Sequence, residues 1–582
     1  GKWNVVPDTS KTYVAQVGVN KYESLADAIS AVQEGNTIKM LKDVDNAAGI
    51  SVNTGKTFTI DFDGHTYKVN KPGAGSTGTE TAAFQLIKGQ TITFKNGTIC
   101  ADADNLQEAT PPAKNILRFF QSYANVNFVD MTIDGTNING NNSVIEFANG
   151  NVSITGSTSI TAKPGAKAIN VDTWKIDSYS GGAHVTINTT GSIGDIYLYS
   201  EGNKTEDFTK STLNISGGIF GSVTGDENKE YIASITGGTF SSNPTAYVAE
   251  GYVAMKNDNG TWTVIAPTAI ENGVTIKGIA GYERYAFSTI SEAYAEISPK
   301  VAALGGLGQE ICSAEVFNAF YTDNGKITWT IYGKQTLVGK DAKDSQNNDI
   351  VVDNNSLTFG RAASYYGDRS LTKIEVKAGN ESAALDLSAT NGTFALPYNW
   401  WGQAVKNVEI SFTGITFDGI KSIPGTWATP EQETPYTFDR CTFNGSVYGY
   451  HDYNINLTIQ NSTFNAPENT SYAVMLQSTT GINGTVTLDH NTFNGYTRGV
   501  NLQRSGTDFI FTNNTITSTV SEPDRAAIQL TDGKNFTVTG NTVRVNAGNA
   551  FWFHNAATNS DVTYTINNNN IQAPYIGYSG VT

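Results

Sequence analysis

The chain has 582 residues, of which only 16% are charged while 58 are Gly, a composition that favours short strands and tight turns over helices. Its formal net charge of −16 at pH 7 argues against a nucleic-acid partner, because phosphates demand basic surfaces. No apolar run approaches the roughly 20 residues that cross a bilayer, so we predict no membrane insertion.

The first predicted element is a strand that leads into an amphipathic helix, within YVAQVGVNKYESLADAISAV at residues 13–32. Its apolar positions are spaced i, i+3, i+4, i+7, as expected for one buried helix face: Leu25, Ala28, Ile29 and Val32. The same arrangement recurs at residues 274–297, with Ile290, Ala293, Tyr294 and Ile297. A strand follows each helix, at residues 37–44 and 326–333. We interpret each helix as a cap that closes the end of a stack of strands.

Between these two helices, one short pattern recurs with divergent sequence. It reads FDGHTY at 62–67, FKNGTI at 94–99, FVDMTI at 128–133, ISGGIF at 215–220 and ITGGTF at 235–240. Gly97, Gly218 and Gly238 occupy one column of this alignment, and we predict a backbone with positive φ there.

The segment GGTFSSNPTAYVAEGYVAMKNDNGTWTVIAP at 237–267 closes the first repeat series. We therefore predict two units, residues 1–266 and 267–582. The beginning of the chain, WNVVP at 3–7, resembles WTVIAP at 262–267, which suggests that a related unit precedes residue 1 in a longer tandem array. Within such an array we expect the chain to be a monomer.

The clearest repeat runs from about residue 408 onward. Its members are ISFTGITF, TFDRCTF, TIQNSTF, TLDHNTF, IFTNNTI, TVTGNTV and TINNNNI. One alignment column holds Ile415, Cys441, Ser462, Asn491, Asn514, Asn541 and Asn569. A repeat of 21 to 29 residues is typical of one coil of a parallel β-helix, and stacked Asn side chains at this spacing can hydrogen-bond from coil to coil. The column two residues later is apolar and suits the core: Phe417, Phe443, Phe464, Phe493, Ile516, Val543 and Ile571.

A second strand in each coil supports the same fold. The aligned segments are VYGYH, AVMLQ, GVNLQ, AIQLT and AFWFH, at 447–451, 473–477, 499–503, 527–531 and 550–554. Strand alternation predicts that Tyr450, Leu476, Leu502, Leu530 and Phe553 point inward. The same alternation predicts an outward polar stripe of His451, Gln477, Gln503, Thr531 and His554. The predicted fold class is therefore all-β, a right-handed parallel β-helix solenoid in two units, each opened by a short amphipathic capping helix.

Amide side chains and exposed aromatic rings are what sugars bind to, through hydrogen bonds and stacking. The candidate ligand-binding residues are Trp400 and Trp401 in LPYNWWG, Trp427 in a Pro-rich insertion, and His451, Gln477, Gln503, Trp552 and His554 on the polar stripe. A core position between coils is an equally good interpretation of Trp400 and Trp401.

No catalytic residues are predicted. Asp439 and Asp489 share a column two coils apart, which is about 10 Å and only marginally compatible with an inverting pair of carboxylates. His451 lies beside Asp452 and could act as a base; structural roles are favoured for all four residues. Arg498, Arg504 and Arg525 lie near the stripe and could serve a lyase, although surface arginine is common.

No metal site or cofactor is predicted either. The three cysteines, Cys100, Cys312 and Cys441, are far apart, form no CxxC pair and are interpreted as buried thiols. The acid-rich segment from Asp341 to Asp353 matches no calcium-loop spacing, so calcium is not indicated.

The opening segment at 22–44 and the closing GGTFSSNPTAYVAEGY resemble modules of large surface proteins from gut anaerobes. The whole pattern is similar to the pectin-lyase-like superfamily of right-handed β-helices. This resemblance implies extracellular display, on a bacterial cell surface or secreted. It does not fix an activity, because the scaffold hosts lyases, hydrolases, tailspikes and adhesins.

Three functions remain open. The leading hypothesis is a non-enzymatic adhesin module that binds a polysaccharide or host glycoprotein through the second unit. The alternatives are a polysaccharide lyase or glycoside hydrolase, and a structural spacer in a tandem array.

Overall fold

The computed structural model describes residues 11–580 apart from residues 72, 76–80, 104–114, 141–142, 177–180, 203–207, 305–312, 338–364, 367–368, 391, 393–407, 422–433, 451–454, 469, 479–483, 505, 519–524 and 555–561. The chain divides into two compact units, Gly1–Ala266 (unit 1) and Pro267–Thr582 (unit 2).

The described part of unit 1 contains one helix and many short strands. They are β1 (Ala15–Val17), β2 (Asn20–Tyr22), α1 (Leu25–Ala31), β3 (Thr37–Met40), β4 (Val44–Ala48), β5 (Ile50–Val52), β6 (Thr57–Asp61), β7 (Thr66–Lys71), β8 (Ala82–Leu86), β9 (Thr91–Cys100), β10 (Arg118–Ser122), β11 (Asn125–Gly135), β12 (Ser143–Phe147), β13 (Gly150–Gly156), β14 (Ser159–Ala162), β15 (Lys167–Trp174), β16 (Gly181–Ile193), β17 (Ile196–Glu201), β18 (Ser211–Phe220), β19 (Val223–Gly225), β20 (Tyr231–Ile235), β21 (Thr239–Phe240), β22 (Val253–Lys256) and β23 (Trp262–Ile265).

Unit 2 repeats this pattern with two helices. Its elements are β24 (Gly273–Lys277), β25 (Tyr285–Phe287), α2 (Ile290–Leu304), α3 (Ala314–Phe320), β26 (Lys326–Tyr332), β27 (Lys334–Thr336), β28 (Tyr365–Tyr366), β29 (Arg369–Ser370), β30 (Lys373–Ala378), β31 (Ala384–Asp386), β32 (Glu409–Thr413), β33 (Thr416–Asp418), β34 (Thr434–Asp439), β35 (Thr442–Asn444), β36 (Val447–Tyr450), β37 (Ile455–Gln460), β38 (Thr463–Asn465), β39 (Tyr472–Ser478), β40 (Gly484–Asp489), β41 (Thr492–Tyr496), β42 (Gly499–Arg504), β43 (Thr507–Thr512), β44 (Thr515–Ser518), β45 (Ala526–Thr531), β46 (Asn535–Thr539), β47 (Thr542–Val545), β48 (Asn549–His554), β49 (Thr563–Asn567), β50 (Asn570–Gln572) and β51 (Tyr575–Gly580). Short 3-10 helices lie at Thr245–Tyr247, Pro267–Ala269 and Ser388–Thr390.

Each unit begins with the predicted cap. In unit 1, β1 pairs antiparallel with β2 and β3, and β3 then pairs parallel with β6. In unit 2, β24 pairs antiparallel with β25 and β26, and β26 pairs parallel with β30. The predicted apolar helix positions are all buried, with no more than the 5% exposure of Tyr294. The helices therefore cover the first coil, as predicted. The seven-residue helix α3 was not predicted.

Parallel sheets form the body of both units. In unit 1, β5, β8, β10, β12, β15, β17 and β19 pair in parallel and are called the β5–β19 sheet. In unit 2, each later coil contributes one strand to each of three sheets. The third of these, formed by β36, β39, β42, β45, β48 and β51, is called the β36–β51 sheet. The fold is a parallel β-helix, which confirms the predicted class.

The predicted core column of unit 2 is a stack of rings. Phe417, Phe443, Phe464 and Phe493 have no solvent exposure. Their neighbouring ring centroids are 5.2, 4.4 and 4.8 Å apart, and the planes lie within 14° of parallel. Parallel pairing one coil apart brings each ring over the next, so the repeat period itself produces this stack.

The predicted Asn ladder is present and buried. The backbone N–H of Asn491 donates to Oδ1 of Asn514 at 2.8 Å, and the backbone N–H of Asn514 donates to Oδ1 of Asn541 at 2.9 Å. Each side chain also donates to a backbone carbonyl of the preceding coil, as Asn514 does to Leu488 at 2.7 Å. The ladder therefore satisfies backbone groups at a corner where the sheet pattern is interrupted.

The corner with positive φ lies one residue before the ladder. Gly414, Arg440, Asn461, His490, Asn513, Gly540 and Asn568 form this column, with φ between 52° and 71°. In unit 1 the prediction of positive φ is right for Gly218 and Gly238 but wrong for Gly97, because Asn96 makes the turn with φ 57°. Gly97 is required for space instead, since a Cβ there would lie 2.2 Å from Cβ of Phe62.

The predicted alignment of Tyr450 with Leu476 is wrong. The register pairs Gly449 with Leu476 and Tyr450 with Gln477, so β36 is shifted by one residue from the sequence alignment. Because strand faces alternate, this shift moves Tyr450 to the column of Gln477. His451 lies outside the described residues, so its place on this face stays a prediction. The alignment of the other strands of this sheet is confirmed.

Candidate functional site

The outward residues of the β36–β51 sheet form the candidate site in unit 2, and we call this surface the amide face. One of its columns holds Met475, Asn501, Gln529 and Trp552, and the other holds Gln477, Gln503, Thr531 and His554. The fold thus brings together four predicted ligand-binding residues: Gln477, Gln503, Trp552 and His554. The other four, Trp400, Trp401, Trp427 and His451, lie outside the described residues.

Hydrogen bonds along the amide face run in one direction. Nε2 of Gln477 donates to Oε1 of Gln503 at 3.5 Å, and Nε2 of Gln503 donates to a carboxylate oxygen of Asp532 at 3.1 Å. Asp532 lies just after β45 in a left-handed turn with φ 59°. The carboxylate therefore anchors the chain of amides and fixes which way Gln503 presents its amide.

Two polar atoms on this face have no protein partner among the described residues. Oδ1 of Asn501 and Oγ1 of Thr531 are buried without a hydrogen bond, although their side chains are only 4% and 3% exposed. Thr531 is thus directed outward as predicted but is covered rather than exposed. Buried polar atoms are normally satisfied, so a site with two open acceptors is suited to a ligand or an ordered water.

Aromatic and basic groups flank the amide face. Trp552 and His554 are half-buried on β48. Nη1 of Arg498 donates to the hydroxyl of Tyr472 at 3.1 Å, and its guanidinium lies 5.7 Å from the centre of that ring. Arg498 is therefore held against Tyr472, which fits a structural role better than that of a lyase base.

The two aligned carboxylates, Asp439 and Asp489, hold corners together. Oδ1 of Asp489 accepts from Thr512 at 2.5 Å and from Asn513 at 3.0 Å, while Oδ2 pairs with Nδ1 of His490 at 2.8 Å. Partial burial alone would raise the pKa of Asp489, but these hydrogen bonds outweigh it and lower the pKa. A carboxyl with a lowered pKa is a poor general acid.

Asp439 is held in the same way. Its carboxylate accepts from Arg440 at 2.9 Å, from Asn461 at 2.8 Å and from Gln460 at 3.3 Å. Both carboxylates therefore bind the left-handed corner of the next coil, and the geometry favours a structural role over an inverting pair.

A second polar cluster lies on the β5–β19 sheet of unit 1 and was not predicted. Its outward residues, called the acidic face, are Gln85, Gln121, Tyr123, Glu146, Asn170, Asp172, Tyr197 and Tyr199. Glu146 is 5% exposed and its carboxylate is fully engaged. It accepts from Nη1 of Arg118 at 3.0 Å and from the hydroxyl of Tyr199 at 2.5 Å.

Asp172 has the opposite environment. Its side chain has no solvent exposure, and neither carboxylate oxygen has a hydrogen-bond partner among the described residues. Burial, followed by the nearby charges of Glu146 and Glu201, raises the pKa of Asp172 to about 8. The backbone N–H of Glu201 makes a smaller, opposing contribution without reaching hydrogen-bond geometry. Asp172 is therefore mostly neutral at pH 7.

The sequence contains a signal for the acidic face. Glu146 stands within SVIEF and Asp172 within AINVDTW, so each acid lies among apolar residues of a strand. Charged residues are rarely fully buried unless they are paired or functional. In unit 1 the sequence alignment covered only the corner motif of the repeat. It therefore did not show that Glu146 and Asp172 lie on adjacent strands.

Metal ligands and membrane helices were also sought within the described ranges. No group of three or more His, Cys, Asp or Glu residues there could hold a metal ion. No described helix is long and apolar enough to cross a membrane. Burial raises the pKa of the Cys441 thiol to about 12, as expected for the inert thiol that was predicted.

Comparison with known proteins supports the fold. A family model described as a right handed beta helix region matches residues 425–580, which contain most of the parallel coils of unit 2. The handedness predicted from the sequence is therefore supported in this region. No curated protein matches the chain. The likeness to pectin-lyase-like surface modules of gut anaerobes stays a prediction.

Proposed function

We propose that the chain is a module of an extracellular bacterial surface protein that binds a polysaccharide or host glycoprotein through the amide face. The observation that supports this best is the pair of buried, unpartnered atoms of Asn501 and Thr531 beside the oriented amides of Gln477 and Gln503. Sugar hydroxyls both donate and accept hydrogen bonds, so they match a surface of amide and hydroxyl groups. The ring of Trp552 adds an apolar surface for stacking.

The same surface does not favour catalysis. Apart from His554, its polar groups are mainly amides and hydroxyls, which cannot transfer protons at neutral pH. The carboxylates Asp439 and Asp489 are bound at corners. A spacer would need no open acceptors on a buried face. Binding without bond cleavage is therefore the function that the amide face supports best.

Retention on immobilised glycans would test the proposal. Gln503→Ala should weaken binding to the retained glycan about fivefold to tenfold, because one oriented hydrogen-bonding group is lost. Asn494→Ala is the matched control, since Asn494 is exposed and stands on a different sheet, where it donates only to Asn465 at 3.2 Å. Equal retention of both variants would contradict the amide face as the binding surface. Shortening of any polysaccharide during incubation would instead establish an enzyme.

A further inference from the structure

The acidic face of unit 1 holds three buried oxygen atoms that have no hydrogen-bond partner among the described residues. They are Oδ1 of Asn170 and both carboxyl oxygens of Asp172, and both side chains are more than nine-tenths buried on the outward side of β15. The two residues are two positions apart, about 6.6 Å along the strand, so they stand side by side on one face. Three neighbouring buried oxygen atoms without partners require an explanation beyond the described protein atoms.

Four side chains of the same face already donate to protein acceptors. Nδ2 of Asn170 lies 3.4 Å from Glu146, and Nε2 of Gln121 donates to the hydroxyl of Tyr123 at 3.1 Å. Nε2 of Gln85 is directed to Gln121 at 3.5 Å, and the hydroxyl of Tyr199 donates to Glu146. A matching ligand must therefore supply a hydrogen-bond donor to Asn170, and a group that both donates and accepts to the neutral carboxyl group of Asp172.

The surrounding charges limit the ligand further. Glu146, Glu201 and Asp226 all act electrostatically on Asp172, while Arg118 is paired with Glu146. The resulting negative potential disfavours anionic ligands. A neutral carboxyl group at Asp172 can donate to a hydroxyl and accept from another, which suits an uncharged ligand better than a cation.

Aromatic rings complete the face. The rings of Tyr197 and Tyr199 stack with centroids 5.5 Å apart, and Trp174 meets Tyr123 edge-on at 5.8 Å. Tyr197, Tyr199 and Trp174 are only half-buried, so these rings reach solvent while Asp172 forms the floor. Ring faces beside a few fixed polar groups are typical of sugar-binding surfaces.

We propose that the acidic face is a second saccharide site, selective for neutral sugars, in which Asn170 and Asp172 bind vicinal hydroxyl groups. Because Asp172 is fully covered, the side chains above it must shift when the sugar enters. This inference extends the proposed glycan-binding function to unit 1, and it excludes uronic acids as ligands of this site at neutral pH.

Calorimetric titration of the full-length chain would test the proposal. The background variant is Gln503→Ala, which weakens the amide face, and the probes are neutral xylo-, manno- and cello-oligosaccharides and an oligogalacturonate. We expect one of the neutral probes to bind and the oligogalacturonate not to bind. Adding Asp172→Asn should lower the remaining affinity about fivefold to tenfold, whereas adding Asp258→Asn, at an exposed position of unit 1, should not change it.

Three results would overturn the inference. They are the absence of binding by every neutral probe in the Gln503→Ala background, equal binding of the oligogalacturonate, and an Asp172→Asn variant that binds as tightly as its background. The comparison of neutral and acidic probes needs no further substitution, so it remains decisive if Asp172→Asn does not fold. Loss of binding in Gln503→Ala alone, with no effect at Asp172, would leave the proposed function intact and reject only this site.

Discussion

Replacing one residue of the buried Asn ladder should destabilise unit 2 strongly. Asn514 is 1% exposed, and its Oδ1 accepts from the backbone and side chain of Asn491 at 2.8 and 3.1 Å. Its Nδ2 donates to the carbonyl of Leu488 at 2.7 Å and to Asn541 at 3.2 Å. Asn514→Ala would leave the N–H of Asn491 and one lone pair of Leu488 unsatisfied inside the protein.

The size of the effect follows from these contacts. Each buried group left without a partner costs about 1–3 kcal/mol, and the cavity left by the side chain adds to this cost. We therefore expect Asn514→Ala to lower the free energy of unfolding by about 3–5 kcal/mol. Asn514→Ser should recover part of the loss. Ser462 fills the same column naturally, where its Oγ accepts from Cys441 at 3.0 Å and donates to Gln460 at 2.7 Å.

Urea denaturation followed by circular dichroism would give the loss in the free energy of unfolding. Hydrogen exchange of the backbone N–H of Asn491 would give the loss of local stability. Local exchange is needed because stacked coils can unfold separately. Asn494→Ala is again the matched control and should cost less than about 1 kcal/mol, since its side chain is exposed. The reasoning is refuted if both Ala variants unfold alike, or if the Asn491 amide stays equally protected in Asn514→Ala.

Three further outcomes are expected. Because the folded chain holds the proton of Asp172 up to about pH 8, against an ordinary value of 3.8, unit 1 should lose stability as the pH rises from about 4 to about 8. The loss should be several kcal/mol at most, and Asp172→Asn should flatten that part of the pH–stability curve; an unchanged slope would contradict the assignment. Gly97→Ala should lower the melting temperature of unit 1 because the new Cβ clashes with Phe62, at a cost of about 1–3 kcal/mol. Gly64→Ala is the control, since a Cβ there meets no atom within 4 Å; it should cost only the strain of its φ of 84°, about 1 kcal/mol. Phe464→Ala removes the middle of the ring stack and should cost about 3–5 kcal/mol in denaturant titration, and a loss below 1 kcal/mol would show that the stack is not a tightly packed core.

The coil repeat of unit 2 could be predicted from the sequence because two neighbouring columns carry independent signals. The Asn ladder and the Phe stack stand two residues apart, and a single register satisfies both. Where only one signal existed, the alignment failed. In β36 the segment VYGYH resembles its neighbours in apolar content, and a one-residue slip places Tyr450 on the wrong face.

The proposed binding surfaces were less predictable for a physical reason. A sequence shows which residues are polar, but not which of them already have partners. Asp439 and Asp489 look like a spaced acid pair and are engaged at corners, while Asp172 looks like an isolated acid and has no partner among the described residues. Only three-dimensional contacts distinguish these cases. The column of Gln477 and Gln503 was predicted because strand alternation alone determines it.

The ladder also affects how such a chain can change in length. Each ladder residue from Ser462 to Asn541 donates its backbone N–H to the ladder side chain of the next coil. Its own side-chain oxygen accepts the backbone N–H of the ladder residue in the preceding coil. An interior coil can therefore be deleted or duplicated by recombination, and the two cut ends will still match. The spacing between ladder positions varies from 21 to 29 residues without disturbing this match, since the extra residues lie outside the corner. Unit 2 can thus gain or lose length by whole coils. Variants with a longer or shorter β-helix can arise while the packing of the core stays the same.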